Sequence, residues 1–237
     1  MALYAEQGLI LRTMKLGEAD RIVSVLTQGE GKIRAVAKGV RKTKSRFGGR
    51  LEPFTHVDLL LYRGRELDIV TQADILSPFR GLREDYGRFT AASIICEAAE
   101  KISEERERNA RLFLLTLNSL RALEDTASDA RATSDSFLLR LASLSGFRPS
   151  LEACAECGAT AVKRFSVHQG GMVCDRCRDG GAISVGEATV PYMLSLLAET
   201  PEPVGDGTRG EAGAIIRTYL EHHLNRPLRS WGHLERA

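Results

Sequence analysis

Between Gln7 and Ser77 the apolar residues come in short runs, at 9–11, 22–26, 33–40, 57–61 and 67–75. Turn-forming stretches separate them: Gly17-Glu-Ala-Asp20, Gln28-Gly-Glu-Gly31, a loop around Gly48-Gly49, and Arg63-Gly64-Arg65. Short runs rich in Val, Ile and Leu, bounded by Gly and Asp, read as strands. Five of them predict a small all-β domain over residues 1–80. Closed on themselves they suggest an OB-type barrel, a fold whose loops and open sheet face hold single-stranded nucleic acid. An SH3-like barrel satisfies the same spacing, because periodicity does not report how a sheet closes.

After Pro78 the apolar period lengthens to that of a helix. Phe89, Ala92, Ile95, Ala99 and Ile102 line one face of 86–104, and Cys96 beside them reads as a small core residue. The Leu-rich segment 111–123 follows. Acidic and small residues over 124–135 then mark a loop and a helix start, and Phe137, Leu138, Leu141 and Leu144 make the next apolar face. Gly146 is placed to end that helix as a left-handed cap, with Pro149 just beyond. Two more helical patterns, 190–198 and 212–224, flank the Pro- and Gly-rich stretch 200–210; Pro191 lies near the start of the first, where proline is tolerated. The prediction is an all-α bundle over 81–237, interrupted at about 151–182.

That interruption carries Cys154-Ala-Glu-Cys157 and Cys174-Asp-Arg-Cys177, which enclose sixteen residues, a spacing typical of four-cysteine zinc sites. Each CxxC turn offers two thiolates to a tetrahedral ion. Gly158 and Gly170-Gly171 supply turns, and 161–167 reads as a ribbon strand. Four thiolates close the coordination shell, so the expected cofactor is one structural Zn2+ rather than a catalytic one. Two redox-active CxxC pairs would need a βαβ setting that the pattern lacks.

Charge changes the picture at the N-terminal end. The chain as a whole is nearly balanced at +2, but residues 1–80 hold 14 Lys/Arg against 9 Asp/Glu, a surplus of +5 that leaves −3 for the remainder. From Lys32 to Arg50 every ionisable side chain is cationic. Such a run repels itself unless an anionic partner neutralises it. The candidate nucleic-acid contacts are therefore Lys32, Arg34, Lys38, Arg41, Lys42, Lys44, Arg46 and Arg50. Phe47 among them is a candidate base-stacking ring, and Gly48-Gly49 permit close backbone approach.

The remaining chemistry is sparse. The residues 1–8 have neither a basic region nor an apolar core of a signal peptide, and charges break every apolar run well short of the roughly 18 residues of a membrane span. A cytoplasmic, nucleoid-associated protein with no membrane contact is expected, in a reducing compartment that suits clustered thiols. A zinc deaminase needs H-x-E before its P-C-x-x-C, whereas His233-Leu-Glu235 follows the cysteines. No GxxxxGK[ST], G-x-S-x-G or H-E-x-x-H occurs, and adjacent His222 and His223 point apart on a helix, so no enzyme is expected.

The segment Ala37-Lys-Gly-Val-Arg-Lys-Thr-Lys-Ser-Arg-Phe-Gly-Gly-Arg-Leu-Glu-Pro-Phe54 resembles the signature of the bacterial RecO family. So do Gly146-Phe-Arg-Pro149 ahead of the first CxxC and the terminal His223-Leu-Asn-Arg-Pro-Leu-Arg-Ser230. The resemblance spans the chain, and all four cysteines place it with the zinc-bearing branch. It implies an OB-fold domain, a helical domain and a zinc-finger insert. It also implies a recombination mediator that binds single- and double-stranded DNA, anneals complementary strands, and works with RecR so that RecA replaces the single-stranded-DNA-binding protein SSB. A cation-rimmed apolar pocket for the SSB C-terminal tail is implied as well, with Arg121, Arg131, Arg140 and Arg217 available. From the residues alone, an RNA-binding or ribosome-associated OB/zinc-ribbon protein remains the alternative, since a basic barrel does not declare the sugar it binds. A zinc-ribbon transcription factor fits less well, because Lys163, Arg164, Arg176 and Arg178 are offset by Glu156, Asp175 and Asp179.

Overall fold

The structure is a computed structural model that describes residues 2–225 and 227–230. Contacts divide it into two compact units, one formed by residues 2–128 with Arg229 and Ser230, the other by Asp129–Leu228.

In the first unit, β1 (Leu3–Leu16), β2 (Asp20–Thr27), β3 (Gly31–Ala37), β4 (His56–Tyr62) and β5 (Asp68–Ser77) form a closed barrel in the order β1-β2-β3-β5-β4. All five predicted strands are present. The fourteen-residue β1 makes closure possible: its first half pairs with β4, from Leu3↔Tyr62 to Leu9↔His56, and its second half with β2, ending at Leu16↔Asp20. Parallel pairing of Ala35 with Asp68 and Val36 with Ile69 joins β3 to β5. A five-stranded barrel closed in this order is OB-like and settles the choice that spacing left open. Alternate residues of each strand, among them Ile10, Val23, Val25, Ile33, Val57, Leu59, Leu61 and Val70, fill its interior.

Three helices belong to the same unit: α1 (Gly81–Glu84), α2 (Tyr86–Ile102) and α3 (Ala110–Glu124). Asp85 caps α2 by accepting from the Arg88 N–H, and Asn109 caps α3 by accepting from Leu112 N–H at 3.0 Å. The change of period at Pro78 thus marks where strands give way to helices, whereas the compact units divide at 128. The reason is that side chains tie these helices to the barrel. Lys32 Nζ donates to the carbonyls of Glu100 (2.9 Å) and Ser103 (2.6 Å), closing the C-terminal end of α2, and Arg83 donates to Thr55 Oγ1 (2.8 Å) and to the Pro53 carbonyl. Cys96, as expected, is buried in α2, and burial pushes its thiol pKa well up. Arg229 and Ser230 join this unit because their N–H groups donate to Glu97 at 2.9 and 2.7 Å.

Asp68, fully buried at the start of β5, accepts from Arg106 (2.8 Å), Gly64 N–H (2.8 Å) and the Tyr4 hydroxyl. Burial works against its charge, but the hydrogen bonds from Tyr4, Gly64 and Arg106 outweigh it and hold the carboxyl below its ordinary pKa. The group therefore stabilises the barrel at neutral pH, and that contribution is lost as pH falls through the depressed folded value. Asp68→Ala leaves three donors without an acceptor and should cost about 3 kcal/mol in urea unfolding, with Asp68→Asn recovering part of it.

The second unit contains α4 (Ala130–Leu144), α5 (Thr189–Leu197) and α6 (Asp206–Leu224), with β6 (Arg164–Ser166), β7 (Gly171–Val173) and β8 (Ile183–Ser184) in a small sheet of order β7-β6-β8. Gly146 adopts φ +87° after α4, the left-handed cap that the sequence predicted. Helix α6 begins six residues before the predicted 212 and takes in Gly207 and Gly210. Tertiary contacts override the low propensity there: Arg209 reaches Asp129 at 3.1 Å, and Glu211 accepts from Gly186 N–H at 3.0 Å and from the Thr189 hydroxyl.

Within this unit Asp135 is fully buried, and both its oxygens lack a hydrogen-bond partner among the described residues. Arg131 Nε, Arg209 Nε and the Tyr192 hydroxyl, which share its electrostatic surroundings, are likewise buried and unpaired. Burial pushes the Asp135 carboxyl up to about 7; Arg131 and Arg209 pull it down, while Asp129 adds to the rise. A carboxyl raised in the folded state stabilises that state below its unfolded pKa, and the contribution fades as pH climbs toward 7. The full span is about 4 kcal/mol. Asp135→Asn should therefore gain stability relative to the unsubstituted protein as pH rises from 5 to 8, read as the difference in urea midpoints at each pH. Taking the difference cancels the other titrating groups, the cysteines included.

Candidate nucleic-acid interface and metal centre

The basic segment lies in the turn-rich connection 38–55 between β3 and β4. A loop this long needs anchors. Val40, Phe47 and Leu51 turn inward and join the barrel core, while Phe54 is buried with its ring edge-on to Phe89 at 5.4 Å. Backbone bonds fold the segment into successive turns, Lys42 N–H to Gly39 O (3.1 Å), Ser45 N–H to Lys42 O (2.9 Å) and Arg50 N–H to Phe47 O (3.0 Å). Gly48 has φ +50°, a conformation that the turn requires and glycine adopts freely.

With the apolar side chains inside, the cations are outside. Lys38, Arg41, Lys42, Lys44 and Arg46 are exposed and Arg50 half-exposed, and among the described residues none of the six has a carboxylate within 4.0 Å. Glu52, the nearest acid in sequence, is held by Arg21 at 2.7 Å. Arg41 and Arg50 donate only to carbonyls, of Gly17 (3.1 Å) and Arg46 (2.6 Å), so their charges are uncompensated.

Three of the nine residues singled out in sequence are engaged otherwise. Phe47 is 1% exposed, so it cannot be the base-stacking ring expected of it; it anchors the loop and carries the Arg46 guanidinium 4.8 Å from its ring centroid. The Lys32 ammonium is spent on the end of α2, as described above. Arg34, on β3, faces Glu105 at 3.5 Å, an exposed pair of small energetic weight that still offsets its charge. Sequence reasoning also passed over Lys15, exposed on β1 close to the hairpin turn whose Gly17 and Ala19 carbonyls accept from Arg41 of the basic loop.

In the second unit the four cysteines converge. The Sγ atoms of Cys154, Cys157, Cys174 and Cys177 all lie within 4.8 Å of one another, and these four residues could hold a metal ion. Cys157 Sγ and Cys174 Sγ are 3.8 Å apart, the edge of a tetrahedron whose centre is about 2.3 Å from each sulfur. Each CxxC forms a knuckle: Gly158, at φ +73°, donates its N–H to Cys154 O (2.8 Å), and Arg178 N–H donates to Cys174 O (3.0 Å). Backbone N–H groups, that of Cys174 above all, draw the Cys154 thiol down to about 6, whereas hydrogen bonding to Cys157 and Cys174 pushes Cys177 up to about 12. Four thiolates so close together need a cation to ionise at once.

A second layer holds the knuckles in place. Gln169 donates its amide to the Cys177 carbonyl (2.8 Å) and accepts from Asp179 N–H (3.2 Å), while Asp179 accepts from the Ser166 hydroxyl (3.0 Å). Gly171 is obligatory: a Cβ there would stand 2.2 Å from the Ser150 carbonyl, which accepts from Met172 N–H. Phe165 packs edge-on to Tyr219 at 5.6 Å and docks the ribbon on α6. His223 is half-buried, stacked on Phe147 at 4.5 Å, and His222 is exposed and edge-on to His168 at 4.8 Å; the two histidine rings nevertheless meet edge to face with centroids 5.2 Å apart, so they do not point apart as expected. Of the arginines considered for an acidic peptide tail, Arg140 pairs with Glu199 (2.7 Å), Arg217 with Glu221 (3.4 Å), and Arg131 borders Asp135, while Arg121, in the first unit, meets Asn118 at 3.5 Å. His233-Leu-Glu235 and Arg226 of the terminal motif lie outside the described residues. No helix among the described residues is long and apolar enough to cross a membrane.

The chain matches the family model for the recombination protein O N terminal over residues 1–79 and that for the recombination protein O C terminal over residues 83–232. It is 45% identical to the DNA repair protein RecO of Thermobifida fusca (strain YX) and 49% identical to that of Frankia casuarinae, in each case over the whole of both chains. The DNA repair protein RecO of Nocardioides sp. is 45% identical over 99% of this chain and all of its own.

Proposed function

Because the chain belongs to the RecO family and has a role in DNA repair and recombination, we propose that it acts there as a recombination mediator. It binds single- and double-stranded DNA through the loop between β3 and β4, anneals complementary strands and, with RecR, helps RecA replace SSB. The observation that carries this reading is the row of six cations, Lys38 to Arg50, held outward by buried Val40, Phe47 and Leu51 and lacking acidic partners among the described residues. If about five of them meet phosphates, affinity for a single strand falls with a log-log salt slope of roughly −3.5, about a hundredfold over a fourfold rise in salt. Binding of this kind is tight, sequence-tolerant and readily released, which suits a protein that hands strands on.

The cysteine cluster holds one Zn2+ in this reading, with all four positions filled by sulfur and a structural role. The helical domain after residue 81 supplies the surface for the SSB tail.

The test is the annealing rate of complementary DNA strands pre-coated with SSB, with and without the protein. Acceleration that disappears when the basic loop is neutralised is the expected result. No acceleration with DNA binding intact would shift the reading to an RNA-binding barrel protein, which competition between single-stranded DNA and RNA would then identify.

A further inference from the structure

The cationic loop contacts phosphates but, with Phe47 buried, presents no ring to a base. The hairpin of β1 and β2 lies against it. Arg41 N–H donates to Ala19 O (2.9 Å), Arg41 Nη1 to Gly17 O (3.1 Å), and Gly39 N–H to Asp20 Oδ1 (2.7 Å), so three bonds lock the hairpin turn to the start of the loop. The same hairpin carries two large apolar side chains in water, Met14 (41% exposed) and Leu16 (38% exposed), two residues apart on one face of β1. That face is set by a break in register between Ile10 and Arg12, which re-aims the end of the strand. Lys15 stands between them on the other face, and Glu18 in the turn disfavours phosphate at the tip itself.

We propose that Met14 and Leu16 are the base-contacting arm of the nucleic-acid interface, meeting the unstacked bases of a single strand whose phosphates track Lys38 to Arg50. This rests on the reading above that the basic loop binds DNA. Methionine and leucine are side chains that insert between base steps, and they are tolerant of sequence because they contact faces rather than hydrogen-bonding edges. Charge complementarity supplies the occupant: an apolar protein surface would not require the adjoining row of uncompensated cations, whereas a single strand presents phosphates and bases side by side.

The experiment compares the full chain's affinity for an oligothymidylate with that for an abasic strand of equal length, which keeps the phosphates and lacks the bases. The unsubstituted protein should prefer the oligothymidylate. Met14→Ser with Leu16→Ser should lose about tenfold on it, with abasic binding and salt slope unchanged. Leu16→Trp, which enlarges the same surface, should raise the preference. Equal binding of both strands by the unsubstituted protein, or a preference that survives the double substitution, overturns the inference while the loop reading stands. No binding of either strand overturns the loop reading itself and this inference with it.

Discussion

Replacing Lys42, Lys44 and Arg46 together by glutamine is expected to weaken single-stranded DNA binding about a hundredfold near 0.1 M salt and to flatten the log-log salt slope from about −3.5 to about −1.4. The arithmetic is that of counterion release, with three of five phosphate contacts removed. The fold should be spared, because these side chains are exposed and the hydrogen bonds that shape the loop run through its backbone. Only the Arg46 guanidinium on Phe47 is lost, worth about 1 kcal/mol at most on such a surface. Lys32→Gln provides the contrast. Its ammonium holds the Glu100 and Ser103 carbonyls, so it should lower the unfolding midpoint and leave the salt slope in place. Anisotropy titrations of a labelled oligonucleotide across salt concentrations read both effects. An unchanged slope in the triple variant would move the phosphates away from this loop.

Stripping the metal, or replacing Cys154 and Cys174 together by serine, should unfold the ribbon around 151–185. Its buried cluster consists of Cys154, Val173 and Cys174, two of which are the candidate ligands. Without an ion that cluster keeps only Val173 as a fully buried apolar residue, and Leu151, Phe165 and Met172, buried elsewhere in the segment, are too few to order about thirty residues against their chain entropy. Structural zinc sites contribute about 10 kcal/mol or more of apparent binding energy at pH 7, far beyond what the Phe165–Tyr219 contact can replace. The expected results are one zinc per chain, release of four titratable thiols on chelation, and protease cleavage within the ribbon while the barrel resists. Retention of a protected ribbon after complete metal loss would remove the structural role.

The fold was legible wherever local pattern and tertiary structure agree. Alternation in β3, with Ile33, Ala35 and Ala37 inward, needs only a half-buried sheet to explain it, and the CxxC pairs specify a tetrahedral cluster because two knuckles at that spacing have few other ways to meet. Gly146 announced its own cap. Barrel closure was not legible, since the parallel pairing of Val36 with Ile69 joins residues far apart in sequence and leaves no periodic trace. Nor was the fate of individual side chains within the basic segment. A phenylalanine among cations reads the same whether it faces solvent or core; only the need of a long loop for apolar anchors decides that Phe47 turns inward. Lys32 was likewise diverted by carbonyls of a helix some seventy residues away, and only the bonds from Arg41 and Gly39 tie the hairpin that carries Met14 and Leu16 to the basic loop.

By itself, then, the sequence determined the strand and helix order, the cysteine cluster, the sign of the charge on the loop and, through its motifs, the family. Tertiary structure alone decided which cations remain free, which aromatic is core and which apolar side chains stand in water, because those outcomes depend on what the folded chain brings within a few ångströms of each group.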